Sequence, residues 1–395
     1  MLNIHRNSVF LLVLAALGLV GLGLVMLSST AAYARESGGH ASALVHKQAT
    51  WLAIGAVLCA LTAAIDYDRW RQTWWVWFGL SALLLALCLL PSIGRSVNGS
   101  ARWLKFGGFS FQPSELAKLA LVFTLAWWYS RPAKPADPEA PALPPEQTFL
   151  RGFIAPLVLG GVLMGLIAPE VDMGATALIG ATTFILMFVA GARWRFLAPT
   201  IAIGITALLI VLLKMPERAG RLLAFRFPEK YPADAYQGEQ GLIALGSGGV
   251  HGYGLGFGRQ KMSFLPFAHT DFIFPVVGEE LGLIATLSVV FAFLILLLSG
   301  TVIAVRARDR FGMLLGFGVV TLLALQASVN IGVTTCVLPN KGMPLPFISY
   351  GGTNLVFCLV CIGILISIWR RGVGDLEEKA NVRLAAKVRR RPTRL

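Results

Sequence analysis

The sequence predicts an all-α polytopic membrane protein, a bundle of about ten transmembrane helices carrying one large extracytoplasmic loop between the seventh and eighth. Three observations carry that expectation. Of 395 residues, 56% are hydrophobic and 14% charged, with mean hydropathy +0.71, more apolar surface than a water-soluble domain needs. The apolar residues come in runs of span length rather than in short alternating segments. Between two such runs lies the stretch 214–274, which is glycine-rich, then basic, then dives back into an apolar run.

Taken in order, spans fall near 9–29, 48–65, 74–91, 114–130, 151–168, 174–190, 196–213, 275–299, 312–337 and 348–369. The first run has no small-residue cleavage site after a short apolar core and many similar runs follow, so it reads as a span. Gly18, Gly21, Gly23, Gly161 and Gly165 are expected to let helices approach closely. Arg69, Arg71, Arg193, Arg195, Arg306, Arg308, Arg310 and the tail put both termini on the cytoplasmic side. Residues 1–369 form one transmembrane domain and 370–395 a basic cytoplasmic tail lying along anionic lipid. The segment 131–147 (RPAKPADPEAPALPPEQ) reads as a flexible linker.

A net charge of +14 in a soluble chain would suggest nucleic acid; in a chain this apolar it reflects loops and lipid, and no nucleic-acid partner is expected. Cys59, Cys88, Cys336, Cys358 and Cys361 all lie in apolar segments. Cys358 and Cys361 form C-x-x-C, but no second pair or nearby histidine completes a zinc set, so packing is the reading. A second set of cations falls where topology disfavours it: Arg95, Arg102 and Lys105 in one outer segment, with Arg218, Arg221, Arg226, Lys230, Arg259 and Lys261 in another. Cations kept there point to an anionic ligand.

Four outer clusters could carry chemistry. In Gly94 to Lys118, Pro113 opens a helix whose first turn suits Ser114 and Glu115. Lys118 follows Glu115 by three residues, and the two are expected to pair inside the bundle. The turn from Ala168 to Gly174 holds Glu170 and Asp172, with helix capping by Asp172 the simplest account. The third cluster ends in His269-Thr270-Asp271. Its glycines mimic G-x-G-x-x-G without a preceding strand, so a dinucleotide fold is rejected and close approach to a ligand or lipid is expected. The fourth, Leu338 to Asn354, breaks the helix with three prolines and a Gly-Gly pair, as backbone lining a cavity does.

Four segments carry a resemblance: GRSVNGSARWLKFGGFSFQPSELAK, PEVDMGATALI, QGLIALGSGGVHGYGLGFGRQKMSFLPFAHTDFIFPVVGEELGLI and NIGVTTCVLPNKGMPLPFISYGGTN. Over nearly its whole length the chain resembles the SEDS family (shape, elongation, division and sporulation). The resemblance implies a ten-helix inner-membrane glycosyltransferase that polymerises lipid II into peptidoglycan beside a class B penicillin-binding protein. Asp271 falls at that family's essential acidic position. Arg102, Gln112, Glu115, Lys118, Asp172, Lys261, His269, Lys341 and Ser349 are expected to bind substrate. Gly278-Glu279-Glu280 and Lys341-Gly342 look more like the division branch (FtsW) than the elongation branch (RodA). Phe267 stands where many members have glutamate.

Elementary chemistry agrees. A polyprenyl pyrophosphate already leaves well, so the protein needs one base for the acceptor hydroxyl and cations for the departing charge. Asp271 suits the base; Arg102, Lys118 and Lys261 suit the other side, with a divalent cation (Mg or Mn) admitted there and no organic cofactor required. One carboxylate cannot serve as both nucleophile and base, so inversion is expected. Expected partners are lipid II, the nascent undecaprenyl-pyrophosphate-linked glycan, an FtsI-like penicillin-binding protein, other division proteins and membrane lipids. A RodA-like elongation polymerase, a lipid II flippase and a division scaffold stand as the competing readings.

Overall fold

A computed structural model describes residues 2–31, 33, 41–90, 94–97, 100–106, 109–131, 149–170, 172–213 and 216–389. The chain opens with α1 (Leu2–Ala31), α2 (Ala41–Ala64) and α3 (Asp68–Cys88). Strands β1 (Gly94–Val97), β2 (Ser100–Phe106) and β3 (Phe109–Phe111) precede α4 (Pro113–Ser130). A π-helical turn, Leu150–Ile154, runs into α5 (Ala155–Ile167), and a 3-10 turn, Ala168–Glu170, leads to α6 (Met173–Val189) and α7 (Trp194–Leu213). Then come α8 (Pro216–Arg226), α9 (Pro232–Ser247), α10 (Ile273–Val305), α11 (Arg310–Thr334) and α12 (Gly352–Arg389).

This is a polytopic helical membrane protein. Among the described residues six helices are long and apolar enough to cross a membrane: Asn7–Ala31, Ser42–Ala64, Leu150–Glu170, Ile273–Val305, Arg310–Thr334 and Gly352–Gly374. Burial separates the centre from the rim. In Gly352–Gly374 72% of the most apolar window is buried, against 17% in Ser42–Ala64. The core is built on α4, α10, α11 and α12, with Phe123, Phe272, Phe311 and Leu365 sealed inside. Around them α12 packs along α2, α1 along α10 and α3 along α4.

Several expectations are revised. The fold is not purely helical: β1, β2 and β3 form an antiparallel sheet in that order, with Leu104 opposite both Gly94 and Phe111. Trp103, Leu104 and Phe106 in β2 and the Gly107-Gly108 pair after it suit a hairpin, a short signal lost in a stretch read for its charges and its helix start. The third helix starts at Asp68 rather than 74, and the stretch after α7 contains two helices of its own. Helix α12 continues unbroken past Arg370 to Arg389, so the tail begins as helix. Of the glycines expected at helix contacts, only Gly23 meets a neighbour, the backbone of Phe347 and Ile348. Gly18, Gly21, Gly161 and Gly165 have open space where a Cβ would point. Cys358 and Cys361 are buried free thiols of α12. The linker 132–147 and the side chains of Arg95, Lys105 and Arg218 lie outside the described residues.

Candidate active site

Asp271 is the second-last residue before α10, whose N-cap is Phe272. No side chain caps that helix, so the carboxylate is not spent on its amides. It keeps part of its surface open although protein surrounds it on most sides. Burial pushes its carboxyl up to about 6; the charges of Arg102, His269 and Lys341 oppose that rise, and Asp172 adds to it. Five groups from four separate segments therefore meet electrostatically here. A Cβ at Gly342 would collide with Asp271 Oδ2, so glycine is what lets the 341–342 turn pass the carboxylate.

The backbone that presents Asp271 is strained and strapped. Phe267 has φ 57°, a left-handed conformation uncommon for an aromatic residue, and its carbonyl accepts from Thr270 N at 3.0 Å and Phe272 N at 3.2 Å. Phe347, on the facing segment, has φ 67°. Ser349 Oγ accepts from Leu345 N at 2.8 Å and donates to Thr270 O at 2.6 Å. Its hydroxyl is a strap between the two segments, which argues against the substrate contact expected of it. Tyr350 N donates to His269 O at 3.0 Å, and the two rings lie 5.8 Å apart.

Asp172 does cap α6: its Oδ1 accepts from Ala175 N at 3.1 Å. Its Oδ2 accepts from Gln112 Nε2 at 3.1 Å, which ties the start of α6 to the start of α4. Capping and a place in the site are thus not alternatives. Gly174 lies against Lys341 and Met343, bringing the 341–343 segment onto the same helix end. Arg102 reaches the cluster from β2; its Nε is buried and makes no hydrogen bond among the described residues. Glu170, which the sequence marked only in passing, is fully buried, and neither carboxylate oxygen is hydrogen-bonded among the described residues.

Lys118 and Glu115 pair as expected, at 2.8 Å, with 7% of each side chain exposed. Lys118 Nζ also donates to Gln326 Oε1 at 2.9 Å, and Asn354 Nδ2 donates to Glu115 Oε2 at 3.3 Å. Gln326 had no sequence signal, being a lone amide in an apolar run, whereas Asn354 closes the fourth outer cluster, 338–354.

Lys261 belongs to a different cluster. Its ammonium donates to Glu280 Oε1 at 2.6 Å, Ser29 Oγ at 2.7 Å and Gly256 O at 2.8 Å, which uses all three of its N–H groups. The expected pyrophosphate cation is thus a fastener for the glycine-rich loop. Glu279 completes the fastening by accepting from Arg259 N at 2.8 Å and Gln260 N at 3.2 Å. Some of these glycines make close approaches within the protein: a Cβ at Gly248 would meet Gly278 O, and one at Gly252 would meet Glu280 O. Among the described residues no three His, Cys, Asp or Glu side chains gather to hold a metal ion.

A curated relative in Geobacter metallireducens, named a probable peptidoglycan glycosyltransferase FtsW, is 37% identical over 94% of this chain and 97% of its own. Namesakes in Coxiella burnetii and Pseudomonas fluorescens are 36% and 35% identical, over 90% and 91% of this chain and 95% and 87% of theirs. A solved peptidoglycan synthase complex, described as coordinating polymerization and crosslinking, contains a chain that superposes with TM-score 0.72 at 26% identity. That match covers 91% of this chain and 97% of the other. The rod-shape-determining protein RodA of Thermus thermophilus gives TM-score 0.66 at 27% identity, over 91% of this chain and 95% of its own. With the profile of the FtsW, RodA and SpoVE proteins, described as cell cycle proteins, matching residues 8–372, this chain belongs to that family.

Proposed function

We propose that the protein is a peptidoglycan glycosyltransferase that polymerises lipid II on the outer face of the inner membrane during cell division. The observation that carries this is Asp271: an uncapping, partly open carboxylate with a proton affinity near neutrality, beside Arg102, His269 and Lys341. A base works best when its pKa lies near the operating pH. Asp271 takes the proton of the acceptor sugar hydroxyl as that oxygen attacks the anomeric carbon and the pyrophosphate leaves. Arg102 and Lys341 stabilise the charge that develops on the departing group. Lys118, neutralised by Glu115, holds the wall of the site rather than the leaving group. One base and one displacement give inversion.

A divalent cation enters this reading only as a companion of the pyrophosphate. Magnesium commonly takes one or two carboxylates together with substrate phosphates and water. The described residues build no cage of three donors, and no step above runs through a metal. In this reading the chain has ten spans, both termini are cytoplasmic, and the loop from 214 to 274 faces outward. Its working partner is a class B penicillin-binding protein, by analogy with the solved complex of polymerization and crosslinking. Identities of 35–37% with proteins named FtsW favour the division role over elongation.

The test is polymerisation of fluorescent lipid II by the purified chain with its cognate penicillin-binding protein. Glycan strands from the native chain and none from Asp271→Asn support the proposal. Unaltered lipid transport with no polymer from the native chain would favour a flippase instead.

A further inference from the structure

Helix α11 is apolar along most of its length, yet it buries two amides one turn apart, Gln326 at 5% exposure and Asn330 at 1%. Their hydrogen bonds follow a single pattern. Asn330 Nδ2 donates to Asp271 O at 2.8 Å and to Met343 O at 2.5 Å. Gln326 Nε2 donates to Pro344 O at 3.0 Å, while its Oε1 accepts from Lys118 Nζ at 2.9 Å. The amide orientations follow from chemistry, because a carbonyl needs an N–H and an ammonium needs an oxygen. Each residue thus has one hand on a residue of the site and the other on one of two consecutive carbonyls.

We infer that Gln326 and Asn330 are positioning residues, a two-rung amide ladder that sets the Asp271 segment and the Lys118–Glu115 pair at a fixed spacing across the 343–344 backbone. The inference rests on the glycosyltransferase reading above and deepens it. A leucine at either position would fill the same space without burying an amide that must find partners. What the amides add is geometry. Positional errors near 1 Å at a reacting group cost on the order of 100-fold in rate. Met343 and Pro344 follow directly on Lys341 and Gly342, so the ladder also fixes the turn that passes the Asp271 carboxylate.

The experiment compares the native full chain, in complex with its penicillin-binding partner, with Asn330→Ala and Gln326→Glu on lipid II. Gln326→Glu keeps an oxygen for Lys118 and removes the N–H that reaches Pro344. For both variants kcat falls by about 10- to 100-fold while KM stays within about threefold. In Asn330→Ala the acid limb of the rate profile also moves, because the carboxylate shifts relative to Arg102 and Lys341. A purely structural role predicts lower thermal stability with native kcat per folded molecule and an unmoved acid limb, and that result overturns the ladder. If Asn330→Ala does not accumulate, the kcat of Gln326→Glu alone decides. Failure of the underlying reading has a different signature, either an inactive native chain or an active Asp271→Asn.

Discussion

At Asp271 two demands meet, because a base must be reachable by substrate and also sit where its proton affinity is high enough to be useful. Partial burial meets both. Replacing Asp271 by Asn removes proton acceptance without disturbing a cap, since the residue caps nothing. Polymerisation measured on lipid II should fall by about 10²–10⁴-fold with membrane level unchanged. The pH dependence has a definite sign. The base must be ionised to act, so the rate falls as pH drops through about 6 rather than through the ordinary aspartate range. Stability runs the other way: a carboxyl raised by folding binds its proton more tightly in the native state, so native stability declines from the unfolded pKa up to about 6 and stays level above. Asp271→Asn should therefore melt no lower than the native chain at pH 7.5, by thermal unfolding in detergent. Lys118 behaves differently. Losing one partner of a buried pair strands the other, typically at about 3–5 kcal/mol. Lys118→Met alone should accumulate poorly, and Glu115→Gln with Lys118→Met should recover level but not activity, as immunoblot and polymerisation assay together would show.

The glycine-rich loop and α10 form one unit, closed around a break in the helix. Gly282 has φ 77° and ψ −172°, and the carbonyls of Gly249 and Val250 accept from Leu283 N at 2.9 Å and Ile284 N at 3.4 Å beside it. A Cβ at Gly282 would run into Val250 O and Gly252 N. Gly282→Ala should therefore lower thermal stability by about 1–3 kcal/mol or more. Gly246→Ala, in α9 with nothing near its Cβ, should be neutral or slightly stabilising. Equal melting temperatures for the two variants would contradict the packing account. How much of this could be read from sequence depends on the kind of signal. Long apolar runs announce their helices, and Glu115 with Lys118 announces a pair because both lie three residues apart on one helix. Lys261 misled because its partners, Ser29 and Glu280, are 232 and 19 residues away and only the fold brings them together. The amides of α11 and the strap through Ser349 were silent for the same reason: their meaning lies in backbone carbonyls, which no side-chain pattern encodes.

At the scale of the whole molecule, polar chemistry gathers at one end of the bundle and ion pairs of another kind close the other. Asp271, Asp172 and the Lys118 pair lie at the ends of α10, α6 and α4 that share the site, and Arg102 reaches them from β2. At the far ends, Arg71 joins Asp68 at 3.0 Å and Asp309 at 3.2 Å, Tyr67 donates to Asp309 at 3.0 Å, and Arg371 pairs with Asp66. Those links bind the α2–α3 turn to the start of α11 and to α12, at the end where arginines crowd. An excess of arginine marks the cytoplasmic side, which would put the site end outside. The five native cysteines can be replaced and single reporters introduced at exposed positions. Phe257→Cys, at a residue 73% exposed on the glycine-rich loop, should react with a membrane-impermeant maleimide on intact spheroplasts. Trp194→Cys, 61% exposed at the start of α7, should react only after permeabilisation. The reverse pattern would place Asp271 on the side where lipid-linked precursors are made rather than polymerised, and the proposed reaction would have no substrate there.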